Sequence, residues 1–172
     1  MGNEDGSIYW YSPDPRCIID LDKFHASKRL MRTYRQGKFE LRVNSAWKEV
    51  LDACAERSST WITDDIKRVY TQLHEMGYAH SVEAYYEGAL AGGLYGVAIG
   101  GAFMGESMFH RVTDASKICL VYLVERMKAR GFTLLDSQYM TDHLGTFNAL
   151  NIRRSEYLER LHDALNRNCR FD

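Results

Sequence analysis

The sequence predicts an α/β fold, also describable as α+β, with a mixed central sheet flanked by helices, and three observations predict it. Segments of helical periodicity alternate along the chain with short segments of period two, the order of a layered α/β domain rather than of a bundle or a sandwich. The run 88–105 has no Asp, Glu, Lys, Arg or His, yet seven of its 18 residues are glycine, which suits closely approaching strands better than a helix. Finally, 172 residues with 45% hydrophobic content and two prolines are enough for one well-packed core and no more. Residues 1–16 are expected as an N-terminal loop or edge segment, because the Pro-Asp-Pro word cannot be helical. Residues 17–172 are expected as a single domain.

The elements follow in order. Over 21–36, Lys23, Lys28, Arg29, Arg32 and Arg35 interleave with Phe24, Leu30, Met31 and Tyr34, a helix with one apolar and one positive face that Gly37 stops. The segment 38–44 alternates Phe39, Leu41 and Val43 with polar residues, a half-buried strand. Ser45 is then a suitable N-cap for a helix carrying Trp47, Val50, Leu51 and Cys54 on one face. A helix over 63–77 places Ile66, Val69, Tyr70, Leu73 and Met76 on a stripe, with acids in its first turn and Gly77 after its last. The stretch 79–103 reads as two strands around a turn near Glu87 and Gly88. A helix apolar nearly all round follows at 116–131, then a short strand at 132–138, and an amphipathic helix at 155–167 through Leu158, Leu161 and Leu165.

Several classes of function are disfavoured. A net charge of −1 gives no whole-molecule preference for nucleic acid, so RNA contact requires a local basic patch. The four cysteines form no CxxC and no Cys/His group has zinc spacing; they are expected as reduced thiols in a cytoplasmic protein, with no metal site and no membrane span. The serine-hydrolase word GxSxG fails at 105–109, where Phe109 replaces the second glycine. The glycines of 92–101 form neither GxGxxG nor a phosphate loop.

Two polar features remain. Glu106 closes the uncharged run among Gly105, Met108 and Phe109, so it is either solvated or directed at something. Asp136 and Gln138 sit at i and i+2 of an apolar strand and share one face. Such a carboxylate can accept from the glutamine NH₂ and leave the amide oxygen free for a substrate amine; a polar pair at a strand end is the plainer alternative.

With these residues collected, the chain resembles the leucyl/phenylalanyl-tRNA–protein transferases. The resemblance rests on WYSPDPR at 10–16, WIT at 61–63, AHSVE at 79–83, GGLYGVAIG at 92–100, GESMF at 105–109, DASK at 114–117, LDSQ at 135–138 and DH at 142–143. It implies a GNAT-like acyltransferase domain that moves leucine, phenylalanine or methionine from aminoacyl-tRNA to a protein beginning with Arg or Lys, in the N-degron route of protein degradation. Aminoacyl-tRNA is a co-substrate, no cofactor is implied, and a monomer is expected.

Carried over residue by residue, the resemblance makes Glu106, Asp136 and Gln138 catalytic. Glu106 then meets the cationic residue of the acceptor, and Asp136 orients Gln138. Leu94, Phe103, Met108, Leu120 and Leu135 would form the aminoacyl pocket, and Trp10, Trp61 and Tyr70 would hold the 3′-terminal adenosine. Lys28, Arg29, Arg32 and Arg35 would meet the tRNA backbone. Relatives carry a longer segment ahead of the WSPDP word, with a Gly-Ile-Phe-Pro-like element, and a short form lacking that N-terminal subdomain is expected here. The rival readings are an aminoacyl-tRNA-dependent ligase with a small-molecule or peptide acceptor, and a coenzyme A-dependent GNAT acetyltransferase. The latter is opposed by the absence of glycine from 110–117, where a pyrophosphate loop would need it.

Overall fold

The computed structural model describes residues 9–56 and 60–172. In chain order its elements are β1 (Arg16–Ile19), α1 (Lys28–Arg35), β2 (Glu40–Val43), α2 (Trp47–Ala55), α3 (Asp64–Glu75), β3 (Ala79–Tyr86) and β4 (Ala89–Ile99). There follow β5 (Ala102–His110), α4 (Ala115–Ala129), β6 (Leu134–Gln138), the one-turn α5 (Asp142–Gly145), β7 (Leu150–Ile152) and α6 (Arg154–Leu165). One sheet runs β2-β3-β4-β5-β6-β1-β7. The β5–β6 pair is parallel and every other neighbouring pair is antiparallel, so the sheet is mixed, as the sequence predicts.

Helices cover both faces because alternate residues of the central strands are apolar on both sides. Leu94, Phe103 and Leu135 turn to the face covered by α1 and α4. Tyr95 and Val97 turn to the face covered by α2 and α3, and Ala102 and Leu134 turn on that same side toward α6. The helix α4 crosses from β5 to the parallel β6 and is buried on nearly every side, as its composition requires.

Local chemistry explains where element ends depart from expectation. The first helix begins at Lys28 rather than at residue 21, because the Ser27 hydroxyl accepts from the Leu30 amide and fixes the start there. Ser45 does not cap α2. The fully buried Glu83 carboxylate requires donors, and it takes the hydroxyls of Ser45 at 3.0 Å and Ser81 at 2.5 Å, leaving Ala46 at the cap position. In α3 the cap and first-turn acids are as expected, but Met76 is 67% exposed and Val69 is exposed as well. Of the expected stripe, Ile66, Tyr70 and Leu73 join the apolar cluster between α2, α3 and the sheet. In α6 the inward face runs through Tyr157, Leu161 and Ala164, not through Leu158 and Leu165, which are exposed.

The uncharged run holds two turns. Glu87 and Gly88, both at positive φ, join β3 to β4, and Gly100 at φ +56 begins a second reversal. GESMF therefore lies within a full strand, β5, which the sequence pattern did not distinguish. Also unassigned were β1, β7 and α5, each of four residues or fewer. Among the described residues no helix is long and apolar enough to cross a membrane.

Candidate active site

The parallel pair β5–β6 is the origin of the site. It is matched over Ala102–Leu134, Phe103–Leu135 and Met104–Asp136, after which the strands part. Two irregularities accompany the parting. In β5, Tyr95 of β4 faces Ser107 while Gly96 faces Gly105, so Glu106 is the extra residue of a bulge. A bulge re-aims its side chain and bends its strand. In β6, Gln138 stands at φ +59, in the left-handed region, and turns the chain away. The gap is a cavity of about 470 Å³ whose lips are Gly105–Met108 on one strand and Asp136–Tyr139 on the other. Its floor is apolar, with Leu94, Leu120, Leu123 and Leu135, and α5 contributes His143 and Leu144 to the wall.

Glu106 thus faces a cavity rather than bulk water. Burial, the largest influence, pushes its carboxyl up to about 7, aided by the negative charge of Asp136 and opposed by a hydrogen bond from the Tyr70 hydroxyl. The Tyr70 phenol is itself shifted upward by burial and by Glu106. Near neutral pH this carboxyl is balanced between its two forms, and a cation entering the cavity would favour the charged one.

Asp136 is fully buried and held by three donors. Arg16 forks onto it, with Nε to Oδ1 at 3.0 Å and Nη2 to Oδ2 at 2.6 Å, and the Tyr157 hydroxyl donates at 2.9 Å. The third donor corrects an expectation. Asp136 accepts at 2.9 Å from the backbone N–H of Gln138, not from its side-chain amide. The carboxylate therefore stabilises the left-handed backbone that presents Gln138 at the cavity lip, and acts on the side chain only through that turn. The guanidinium of Arg16 also lies 4.8 Å from the centre of the Tyr157 ring. Arg16 and Tyr157 were not anticipated as site residues. Arg16 ends the WYSPDPR word, and Tyr157 occupies an inward position of α6 that the expected leucine stripe misses by one residue.

Of the expected aminoacyl pocket, Leu94, Met108, Leu120 and Leu135 line the cavity. Phe103 does not. It is fully buried in the core, its ring 5.0 Å from that of Phe171 near the chain end. Of the expected adenosine contacts, Trp61 lines the cavity, and Tyr70 packs edge-on against Tyr95 at 5.5 Å while reaching Glu106. Trp10 is 94% exposed and stands outside the cavity lining. Lys28, Arg29, Arg32 and Arg35 are all exposed on α1, but Arg29 forks onto Asp114 at 2.5 and 3.0 Å, so its charge is already matched.

Comparison with known proteins identifies the family. The family described as leucyl/phenylalanyl-tRNA protein transferase matches residues 18–162. The leucyl/phenylalanyl-tRNA–protein transferase of Gloeobacter violaceus is 54% identical over 164 residues, 95% of this chain and 85% of that relative. Those of Herpetosiphon aurantiacus and Salinibacter ruber are each 52% identical, across 98% and 96% of this chain and 89% and 74% of theirs. A solved structure, L-PGS from Bacillus licheniformis, superposes on 77% of this chain and 48% of its own with a TM-score of 0.53 at 14% identity, a likeness of fold. Matched through β5, β6 and the cavity between them, the chain belongs to the leucyl/phenylalanyl-tRNA–protein transferase family.

Proposed function

We propose that the cavity holds the leucyl or phenylalanyl group of an aminoacyl-tRNA while a protein beginning with Arg or Lys brings its α-amine to the ester beside Gln138 and Glu106. The observation that carries this reading is the placement of Glu106 and Gln138 on opposite lips of an apolar cavity. Burying a leucine or phenylalanine side chain there contributes about 1.5–3 kcal/mol, and unbranched lining disfavours a β-branched donor. Methionine fits the same lining.

The reaction is aminolysis of an ester. The neutral amine attacks the carbonyl carbon, the bond to the ribose oxygen breaks, and the proton lost by nitrogen is balanced by the one gained by that oxygen. The ester is already activated, so the chemistry calls for positioning and proton movement and needs no resident cofactor. The Gln138 amide oxygen accepts a hydrogen bond from the attacking nitrogen. Glu106, once ionised, receives the guanidinium or ammonium of the acceptor's first residue, and Trp61 offers a stacking surface for the terminal adenine. The outcome in the cell would be an N-degron made in the cytoplasm, where aminoacyl-tRNA is available.

Mass spectrometry tests the reading. Peptides beginning with Arg and with Met are incubated with the protein and leucyl- or phenylalanyl-tRNA. A one-residue mass gain on the Arg peptide alone is expected. No gain on either, with the tRNA still bound, would remove the assigned acceptor.

A further inference from the structure

A second cavity, of about 380 Å³, adjoins the first. Met108 and His143 line both, so the two are contiguous. The second is walled by His110 of β5, by Thr113 and Asp114 of the following loop, and by Ser116 and Lys117 in the first turn of α4. Three of these side chains, His110, Lys117 and His143, are basic. The one acid, Asp114, is already matched by the Arg29 fork and lies 4.0 Å from Lys117.

The start of α4 has no side-chain cap. Asp114 occupies the cap position at φ +71, a region costly for any residue with a Cβ, yet its carboxylate makes no capping bond and is given to Arg29. Among the described residues the first-turn amides of Ser116 and Lys117 therefore have no capping partner, and the first turn of α4 contains no acid. A second observation points to a ligand. Ser116 is only 5% exposed and lines the cavity, yet its hydroxyl has no hydrogen-bond partner among the described residues. The Nδ1 of His143, on the shared wall, is buried and also lacks a partner. His143 is shifted downward, by burial first and then by the positive charges of Lys117 and His110, the field an anion would relieve.

We propose that this cavity is a phosphodiester subsite, and that it takes the linkage joining the terminal adenosine of the aminoacyl-tRNA to the nucleotide before it. This rests on the proposed function, and the position supports it. On one side the subsite adjoins the cavity assigned to the aminoacyl group; on the other, the Asp114–Arg29 pair ties it to α1, whose Lys28, Arg32 and Arg35 are exposed. An RNA strand leaving the reaction cavity thus meets the amides of α4, then Lys117, then the basic helix. The arrangement orients a backbone without reading a base.

Two unreactive donors test the proposal by calorimetric titration. One is the leucyl amide of 3′-amino-3′-deoxyadenosine; the other is the same compound extended from its 5′ oxygen through a phosphodiester to cytidine. The extended compound is expected to bind about tenfold tighter, with the salt slope of about 0.7 that one phosphate contributes. Lys117→Gln and Ser116→Ala should each shrink that gap to about threefold or less while leaving the phosphate-free compound unaffected. Lys117 is a surface residue, so its substitution tests the site without disturbing the core. Equal binding of the two compounds, or variants that weaken both alike, would overturn the subsite while leaving the function intact. Binding of neither would sink the function and the subsite together. Displacement of the extended compound by coenzyme A at lower concentration would reassign the subsite to the diphosphate of a nucleotide coenzyme.

Discussion

At the residue scale, the buried Glu106 and the fork of Arg16 onto Asp136 set the electrostatics of the cavity. Glu106 is conspicuous as the charge that ends a long uncharged run, and Asp136 and Gln138 as polar residues in an apolar strand. Their geometry depends on irregularities that periodicity does not encode: the bulge at Glu106, the left-handed Gln138, and the contact of Arg16 with Asp136, formed across 120 positions of chain. Burial of Glu106 has a thermodynamic sign. Its folded pKa, about 7, lies above the ordinary 4.5, so the folded state holds the proton more tightly than the unfolded chain. The stability this contributes is fully present below about 4.5 and is lost as pH rises through 7, a change on the order of 3 kcal/mol. Glu106→Gln removes the titration. Thermal unfolding of both proteins from pH 5 to pH 8 should show the wild type losing stability relative to the variant; parallel curves would mean that the carboxyl is hydrated.

At the element scale, long periodic segments were legible and short ones were not. The helix α3 announces itself through its stripe, first-turn acids and stop glycine, and α4 through a long apolar run that ends in basic residues and a glycine. Strands of three or four residues such as β1 and β7 carry too few positions to show a period, and only their pairing with distant partners defines them. The glycines of β4 were expected to mark close approach of a ligand or another strand, whereas at Gly92 it is a helix that approaches. A Cβ there would lie 2.7 Å from that of Ala115 and 3.0 Å from the Ser116 nitrogen. The start of α4 rests directly on this glycine, so Gly92→Ala must lift the helix or shift the strand. The cost is expected at about 1–3 kcal/mol, read as a fall in chemical denaturation midpoint with an unchanged slope. Because Leu120 of α4 floors the reaction cavity, the same variant should also raise KM for aminoacyl-tRNA. A variant as stable as wild type would show that α4 is not seated where the structure places it.

At the scale of the whole molecule, a net charge of −1 conceals an uneven distribution. The helix α1 has no acid in its first turn, presents exposed basic residues, and packs against α4 through Leu30 and the hydrogen bond from Tyr34 to Glu125. Its basic pattern was plain in the sequence. What the sequence could not show is that the four cations differ, since Arg29 is committed to Asp114 and reversing its charge would break that pair as well as any phosphate contact. Arg32 and Arg35 have no such duty, no ion pair being formed by either among the described residues. Changing both to Glu should weaken aminoacyl-tRNA binding and lower the slope of log affinity against log salt by about 1.5, since each phosphate contact contributes about 0.7–0.9. Affinity for a leucyl-adenosine analogue too short to reach α1 should be unaffected. A reduced salt slope with an unchanged short-ligand affinity would identify α1 as the surface that receives the tRNA backbone. An unchanged slope would move that surface elsewhere, and loss of both affinities would mean that the helix supports the cavity rather than the RNA.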